Sequence, residues 1–206
     1  MSSDWVVKNV RPEDVYKNAS DFYSKEEVKR YANSGTMRKM QSEMTLTALE
    51  IAEFKECSKV LDIGCGTGMS LKVLKEKGFK LTGIDVSTEM IKEARKNFEN
   101  VFMSDMQDLP FKKNSFHGII SISALQWSLS QKPLKEIEIT MKKIGKEFYR
   151  VLKKHGKAVI QFYPQSKQVL SLVINEFEKS SFNVEVFLSK PESKRKRKYF
   201  LLLEKN

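Results

Sequence analysis

The stretch VLDIGCGTGMS, residues 60–70, decides the fold. Its apolar residues Val60, Leu61 and Ile63 are typical of a buried strand, and glycines at every second position then predict a turn that a ligand can approach closely. The spacing differs from the G-x-G-x-x-G of a dinucleotide-binding turn, because Met69 takes the place of the third glycine. The Gly-Lys-Ser/Thr of a phosphate-binding loop is absent as well. The stretch therefore predicts a strand, a ligand-binding turn and a helix.

Short apolar runs alternate with helical stretches after this turn. The runs FKLTGI, NVFMS, FHGIISIS and KAVIQFY are separated by helical patterns, which predicts a parallel sheet covered on both faces. The last two runs, FNVEVFLS and KYFLLLE, are too close together for a crossover helix, so we expect them to pair antiparallel. Before the turn, the pattern predicts helices over residues 11–18, 24–32 and 36–54.

Acidic residues lie at or near the ends of three predicted strands. Asp85 ends the run FKLTGI, 21 residues after Gly64. A carboxylate about 20 residues after such a turn is where nucleotide-binding folds hold ribose hydroxyls, which we expect of Asp85. We expect Asp105 and the backbone of Met106 to bind an adenine amino group, with the Met106 side chain over the ring.

The third acid, Asp62, gives the turn the form D-x-G-x-G-x-G, which is typical of S-adenosyl-L-methionine enzymes. Over residues 59–204 the chain resembles the class I methyltransferases. The resemblance implies a Rossmann-like α/β three-layer sandwich whose seven-stranded sheet has the order 3-2-1-4-5-7-6, with strand 7 antiparallel. It also implies that Asp62 faces the amino-acid end of the cofactor.

The segment ISISALQWS, residues 120–128, is expected beside the donor methyl, and it contains no acid, base or thiol. It has neither the Asn/Asp-Pro-Pro-Tyr of enzymes that methylate exocyclic adenine amines nor the Cys nucleophile of cytosine C5 enzymes. The two histidines, His117 and His155, precede strands, so we expect both at the opposite edge of the sheet. The acceptor should therefore bring its own lone pair, as guanine N7 does.

Aromatic residues near the ends of two strands are candidates to hold a flipped base. Trp127, Phe162 and Tyr163 could flank the base by stacking, and we expect Pro164 to stiffen the turn that follows. The pattern also allows Phe162 to face the core. Catalysis would then depend on proximity and orientation rather than on proton transfer.

Several motifs narrow the resemblance. DIGCGTG, SISALQW, QFYP and PESKRKRKYFLLL, with YSKEEVKRYANSGTMRKMQSEMTLTALE near the N-terminus, are similar to the eukaryotic and archaeal family that methylates guanine N7 in small-subunit ribosomal RNA. The resemblance implies that Tyr23 and Tyr31 belong to a lid over the cofactor and that Gln41 reaches its carboxylate end. The residues predicted to bind the cofactor are Tyr31, Gln41, Asp62, Gly64, Cys65, Gly66, Gly68, Asp85, Val86, Asp105, Met106 and Ser121.

The run NVFMS is expected at the edge of the sheet, where Val101, Phe102 and Met103 would form an apolar border. The family resemblance implies that a small zinc-binding activator subunit pairs with this strand, giving a heterodimer. Coverage by the N-terminal helices of the chain itself is the other interpretation of the same pattern.

The charge of the chain favours a polyanionic partner. Lys and Arg exceed Asp and Glu by 37 to 26, so the formal net charge is +11. We expect the run KRKRK to contact RNA phosphates, although a solvated charge run explains it too. Its members are Lys194, Arg195, Lys196, Arg197 and Lys198.

The length of 206 residues predicts one domain, with residues 1–54 as a helical lid or extension and 59–204 as the catalytic core. Cys57 and Cys65 have neither zinc-ligand nor disulfide spacing, and we expect no metal site. No apolar run reaches the roughly 20 residues that span a bilayer, and residues 1–10 lack the features of a secretory signal. We expect a soluble cytoplasmic protein, with the nucleus or nucleolus as its location in a eukaryote.

The function expected from these motifs is methylation of guanine N7 in small-subunit ribosomal RNA, by positioning of the base without a general base. Two other functions stay open. A small-molecule methyltransferase would act on a carboxylate, quinone or amine, and it would need neither the positive charge nor Trp127. A cofactor-binding ribosome assembly factor with dispensable activity would carry the same motifs as the enzyme.

Overall fold

The computed structural model describes residues 10–190, 192–193 and 197–206. Within that part of the chain, the strands are β1 (Lys59–Ile63), β2 (Lys80–Asp85), β3 (Val101–Met103), β4 (Phe116–Ile122), β5 (Leu152–Phe162), β6 (Phe182–Ser189) and β7 (Lys198–Lys205). They form one sheet of order β3-β2-β1-β4-β5-β7-β6. Strands β1 to β5 are parallel, and β7 pairs antiparallel with both β5 and β6. The predicted strand order and the antiparallel last strand are confirmed.

The helices of the described residues are α1 (Pro12–Val15), α2 (Ala19–Phe22), α3 (Lys25–Asn33), α4 (Gly35–Ala52), α5 (Met69–Glu76), α6 (Thr88–Ala94), α7 (Leu125–Leu129), α8 (Leu134–Val151) and α9 (Lys167–Lys179). The prediction of one helix over residues 11–18 is wrong, because only the single turn α1 forms there. Tyr16 is extended and ends α1, and the Asn18 side chain donates to Asp21 at 2.8 Å and supports a second turn. The two longer predicted helices correspond to α3 and α4.

The core lies in two layers, one on each face of the sheet, and adjacent residues of β5 show this. Val159 packs on one face with Ala48 of α4, whereas Ile160 packs on the other with Phe148 of α8 and Phe177 of α9. Helices α5 and α6 complete the α4 side by packing on β1 and β3. Because both faces are covered, residues 60–63 of the central strand β1 are all buried.

The two histidines lie near the amino ends of the parallel strands. His117 is in β4, where its Nδ1 accepts from the backbone N–H of Lys59 at 3.0 Å. The histidines therefore lie away from the carboxyl ends, as predicted, although they fall within β4 and β5 rather than before them.

No helix in the described ranges is long and apolar enough to cross a membrane.

Candidate active site

The glycine turn lies between β1 and α5, and its glycines have the positive φ values that other residues rarely adopt. Gly64 has a φ of +78°, and a Cβ added to it would come 2.2 Å from Cβ of Ala124. Gly66 has a φ of +54°, but among the described residues a Cβ there would meet only Sδ of Met90, at 3.8 Å. Gly64 thus allows the turn to pack against the end of β4, while the space beside Gly66 is open to a ligand.

Asp85 holds this turn from the end of β2. Its Oδ2 accepts from the backbone N–H of Gly66 at 2.9 Å, and its Oδ1 accepts from the backbone N–H of Ser87 at 2.8 Å. Burial raises the pKa of the Asp85 carboxyl, and these N–H donors partly oppose that rise. The carboxylate is therefore fixed in position, with lone pairs left to accept hydrogen bonds from a ligand.

Asp62 is fully buried within β1. Its Oδ2 accepts from the Ser70 hydroxyl, and its Oδ1 has no hydrogen-bond partner in the described part of the chain. Burial raises the pKa of Asp62 to about 7, opposed by the Ser70 hydrogen bond. A buried carboxylate oxygen without a donor is costly, which indicates that a positively charged or hydrogen-bonding group belongs nearby.

A cavity of about 320 Å³ opens at the carboxyl ends of the strands. That volume lies at the lower end of the range of small-molecule sites. The predicted residues that line it are Tyr31, Gln41, Gly64, Cys65, Gly66, Asp85, Val86, Met106, Trp127 and Tyr163. The structure thus brings the glycine turn, the Asp85 carboxylate and two of the predicted base-binding aromatics to one site.

Tyr23, which follows α2, and Tyr31 of α3 line one side of this cavity. Trp127 stacks on Phe22, with ring centroids 5.9 Å apart and an interplanar angle of 28°, and Tyr23 packs against both Trp127 and Tyr31. Burial raises the pKa of Tyr31 to about 12, against an opposing hydrogen bond from Gln41, and it raises the pKa of Tyr23 further. Both phenols therefore stay protonated at neutral pH, and the assignment of Tyr23 and Tyr31 to a lid stays a prediction.

The sequence of this chain is similar to a family model and to several known proteins. The family model described as a methyltransferase domain matches residues 61–160. The 18S rRNA (guanine-N(7))-methyltransferase bud23 of Schizosaccharomyces pombe is 32% identical over 190 residues, which cover 89% of this chain and 70% of that protein. The 18S rRNA (guanine-N(7))-methyltransferase of Bos taurus is 37% identical, with coverages of 88% and 67%. This chain belongs to the 18S rRNA guanine-N7 methyltransferase family.

Solved structures agree on the fold of this family member. The putative methyltransferase in a complex with the Haloferax volcanii Trm112 methyltransferase activator has a TM-score of 0.62 and 18% identity, covering 87% of this chain and 98% of that one. A putative S-adenosyl-L-methionine-dependent methyltransferase of Methanococcus maripaludis has a TM-score of 0.64 and 15% identity, with coverages of 98% and 97%. At these identities the likeness shows the class I methyltransferase fold.

The cavity fits S-adenosyl-L-methionine, the cofactor of this family. The open space at Gly66 allows the backbone to come close to a ligand, and Asp85 presents a fixed acceptor for ribose hydroxyls. Beneath the turn and outside the lining of the cavity, the unpartnered Oδ1 of Asp62 favours a positively charged group on the cavity side of the turn. Tyr31 and Gln41 line the same cavity, and Gln41 is buried although it is polar.

Some predicted site residues of this family member do not reach the cavity. The prediction that Phe162 contacts the base is wrong, because its side chain is fully buried in the core between the sheet and helices α8 and α9. The Ser121 hydroxyl donates to the Ile63 carbonyl at 2.9 Å, so it links β4 to β1 instead of facing a ligand. The Asp105 carboxylate is exposed and accepts from the backbone N–H of Gln107 at 2.9 Å, which leaves it off the cavity wall.

Asp62, Gly68 and Pro164 also lie outside the lining of the cavity. Asp62 supports the turn from within β1, and Gly68 begins α5 with a φ of +90°. Pro164 is buried after β5, and its stiffening role stays a prediction.

Two residues at the start of the described chain complete the site, and no sequence motif points to either. Arg11 lies over the ring of Tyr163, with its Cζ 4.6 Å from the ring centroid, and Glu13 of α1 lines the cavity. Gln126 is buried although it is polar, and its amide nitrogen donates to the Ser123 carbonyl at 3.0 Å. Long-range packing places Arg11, Glu13 and Gln126 in the site. The only sequence signal for such a residue is a polar side chain within an otherwise apolar segment.

Two residues of the basic run KRKRK, Arg197 and Lys198, belong to the described part of the chain. Lys194, Arg195 and Lys196 fall outside the described residues. Arg197 directly precedes β7 and Lys198 begins it, and both are half-buried. Burial lowers the pKa of Lys198, and the nearby charge of Lys190 lowers it further. Positive charge is therefore concentrated at the end of the β6–β7 hairpin.

Proposed function

We propose that this chain transfers a methyl group from S-adenosyl-L-methionine to N7 of guanine in small-subunit ribosomal RNA. The observation that carries the proposal is a single cavity in which the Asp85-braced glycine turn lies beside Trp127 and Tyr163. Two of the curated relatives that bear this activity in their names, from Schizosaccharomyces pombe and Bos taurus, match along nearly nine-tenths of the chain.

On this proposal, the cofactor lies on the β1 and β2 side of the cavity. Asp85 accepts hydrogen bonds from the ribose, the backbone at Gly66 allows close approach, and Met106 packs on the adenine. Tyr31 and Gln41 hold the amino-acid end. When bound, the cofactor supplies a methyl carbon on a positively charged sulfur, which retains the electron pair of the bond that breaks.

The acceptor base lies on the β4 and β5 side, between the aromatic side chains. Guanine N7 has a lone pair, so no residue has to remove a proton from it. The neighbouring phenols of Tyr23 and Tyr31 have pKa values raised mainly by burial, which makes them poor bases at neutral pH. The contribution of Trp127 and Tyr163 is to hold the base in line with the methyl group, which is catalysis by proximity and orientation.

We further propose a small zinc-binding activator subunit along β3. Phe102 and Met103 expose 41% and 61% of their surface at this edge strand, whereas Val101 is fully buried. An unpaired apolar edge is suited to strand addition by a partner. The structural neighbour from Haloferax volcanii, solved with the Trm112 methyltransferase activator, supports such an arrangement.

The basic end of the β6–β7 hairpin is proposed to contact RNA phosphates. Arg197→Ser with Lys198→Ser should weaken RNA binding and reduce its dependence on salt concentration, by about one power for each phosphate that the protein no longer neutralises. Lys142→Ser with Lys143→Ser, at exposed positions of α8, is the matched control. An equal change in salt dependence for both pairs would argue against the hairpin.

The division into a lid at residues 1–54 and a catalytic core at 59–204 belongs to the same proposal. The aromatic contacts of Tyr23 and Tyr31 with each other and with Trp127 support it. Action on ribosomal RNA implies a place of ribosome assembly, which is the cytoplasm or, in a eukaryote, the nucleolus.

The test is transfer of a labelled methyl group to unmodified small-subunit RNA and to precursor particles, with and without an activator subunit. Label that appears on guanine N7, and that is absent when this atom has been modified beforehand, would support the proposal. Transfer to small carboxylates, quinones or amines with no dependence on RNA would indicate a small-molecule enzyme. An assembly factor is indicated if a chain that cannot bind cofactor, such as Asp85→Ala, restores subunit maturation in cells.

A further inference from the structure

Glu13 is a buried carboxylate in the wall of the cavity. It is 6% exposed, and it lies in the single-turn helix α1, which no sequence motif connects with the site. Most buried carboxylates pair with a cation or several donors. The carboxylate accepts a hydrogen bond from its own backbone N–H, and among the described residues it forms no ion pair. Its carboxylate therefore still has accepting capacity to offer to a ligand.

Packing fixes this residue on the β4 and β5 side of the cavity. The Glu13 carbonyl accepts from the Ser130 hydroxyl at the end of α7, and it accepts from the Gln131 side chain at 3.2 Å. Arg11, two residues earlier, covers the ring of Tyr163 at the end of β5. The segment is thus attached both to α7, which carries Trp127, and to the end of β5.

The negative charge of Glu13 affects two tyrosines that line the cavity, Tyr23 and Tyr163. Burial is the main cause of the raised pKa values of Tyr23 and Tyr163, and the negative charge of Glu13 contributes to both. Burial likewise raises the pKa of Glu13, opposed first by the hydrogen bond from its own backbone N–H and then by the charge of Arg11. Glu13, Tyr23 and Tyr163 line the same cavity, so the carboxylate and the two phenols share one part of its wall.

Guanine offers a specific match to such a group. Its N7 is an acceptor on one edge, while the opposite Watson–Crick edge presents the N1–H and the N2 amino group as adjacent donors. A carboxylate has two acceptor oxygens and no donor, so it can receive both hydrogen bonds at once. Adenine has an acceptor at N1 and no N2 amino group, and it would leave the carboxylate unpaired.

Resting on the function proposed above, we infer that Glu13 is the residue that selects guanine, by accepting hydrogen bonds from N1–H and the N2 amino group while N7 faces the methyl donor. Glu13 would then be a specificity residue that contacts the substrate. Its burial next to aromatic side chains makes the loss of either donor costly, which is how buried polar groups reject incorrect substrates.

The test pairs variants of Glu13 with a base that lacks one donor. Two small-subunit RNA fragments are compared, one with guanosine and one with inosine at the methylated position, because inosine lacks only the N2 amino group. For the wild-type chain we expect kcat/KM for inosine to be lower by about tenfold or more. Glu13→Gln should lower the value for guanosine by about 10- to 100-fold and that for inosine much less, so that the preference nearly disappears.

Controls separate recognition from folding and from the cofactor. Glu178→Gln, at an exposed position of α9, should keep both the rate and the preference. Glu13→Asp keeps both acceptor oxygens, so its preference should stay closer to wild type than that of Glu13→Gln. Calorimetric affinity for S-adenosyl-L-methionine should be nearly unchanged in all three variants.

Two results would overturn the inference: an unchanged guanosine preference in Glu13→Gln, or a loss of cofactor affinity that accounts for the whole loss of rate. A wild-type chain that transfers no methyl group to guanine N7 would instead refute the proposed function. That failure appears in the wild-type reaction alone, before any variant is compared.

Discussion

The backbone N–H of Gly66 donates a hydrogen bond of 2.9 Å to Oδ2 of Asp85. The bond joins the glycine turn after β1 to the carboxyl end of β2, across 19 residues of sequence. Because the same carboxylate is the proposed ribose acceptor, the shape of the turn and the position of the acceptor depend on each other. A change to either residue should therefore affect the whole cofactor site.

Asp85→Asn should weaken binding of S-adenosyl-L-methionine by about 10- to 100-fold, because hydrogen bonds to a charged acceptor are worth about 1.5–3 kcal/mol. An amide also places an N–H group against the donors of Gly66 or Ser87. Calorimetric titration with the cofactor and with its demethylated product measures the change. Asp108→Asn, at an exposed position after β3, should leave both affinities unaltered. Equal effects of the two substitutions would rule out a special role for Asp85.

Gly64→Ala should lower the free energy of unfolding by at least about 1–3 kcal/mol, the cost of a residue held at an unfavourable φ. The added Cβ would also collide with Ala124, from which it would lie 2.2 Å. Gly35→Ala is the control, since a Cβ at the start of α4 meets no described atom within 4 Å. Urea unfolding of both variants gives the comparison. Similar stabilities for the two would show that the turn can relax around a side chain.

The glycine turn and the order of the sheet could be predicted because their signals are local. The spacing of Gly64, Gly66 and Gly68 and the alternation of apolar runs lie within short windows. The short link between the last two strands likewise required antiparallel pairing.

The acceptor side of the cavity could be predicted only in part, because tertiary contacts decide it. Glu13 reaches the site through a contact with Ser130, 117 residues away, which no local pattern encodes. The error at Phe162 has a different origin. Adjacent residues in extended chain face opposite ways, so Phe162 and Tyr163 could not both face the base, and Phe162 is the one in the core.

The unfolding free energy of the cofactor-free protein should decrease as the pH rises from about 4 to 7. Burial raises the pKa of Asp62 to about 7, so the folded chain retains a proton that the unfolded chain has already released. Each such group contributes a slope of up to about 1.4 kcal/mol per pH unit between its two pKa values. The pKa values of Asp85 and Glu13 are raised in the same direction, so the wild-type slope contains all three groups.

Asp62→Asn isolates the first of these groups. The variant should be less dependent on pH than the wild type, retaining the shares of Asp85 and Glu13. Urea unfolding at pH 5 and pH 8 measures the difference. Asp21→Asn, at an exposed position of α2, serves as the control and should keep the full slope. A slope that is the same in Asp62→Asn and in the wild type would show that Asp62 is ionised in the folded chain despite its burial.

Trp127→Ala should lower kcat/KM for RNA by about 10- to 100-fold, because stacking of an aromatic side chain on a base is worth about 1–3 kcal/mol. The ring also stacks on Phe22, so its removal could act through the lid instead. Phe22→Ala separates the two effects, since it removes the lid contact but keeps the indole. If the indole supports the base, Trp127→Ala loses transfer while calorimetric cofactor affinity is nearly retained, and Trp127→Phe recovers part of the rate. Equal losses of transfer and of cofactor affinity in Trp127→Ala, matched by Phe22→Ala, would instead make Trp127 a residue that holds the lid closed.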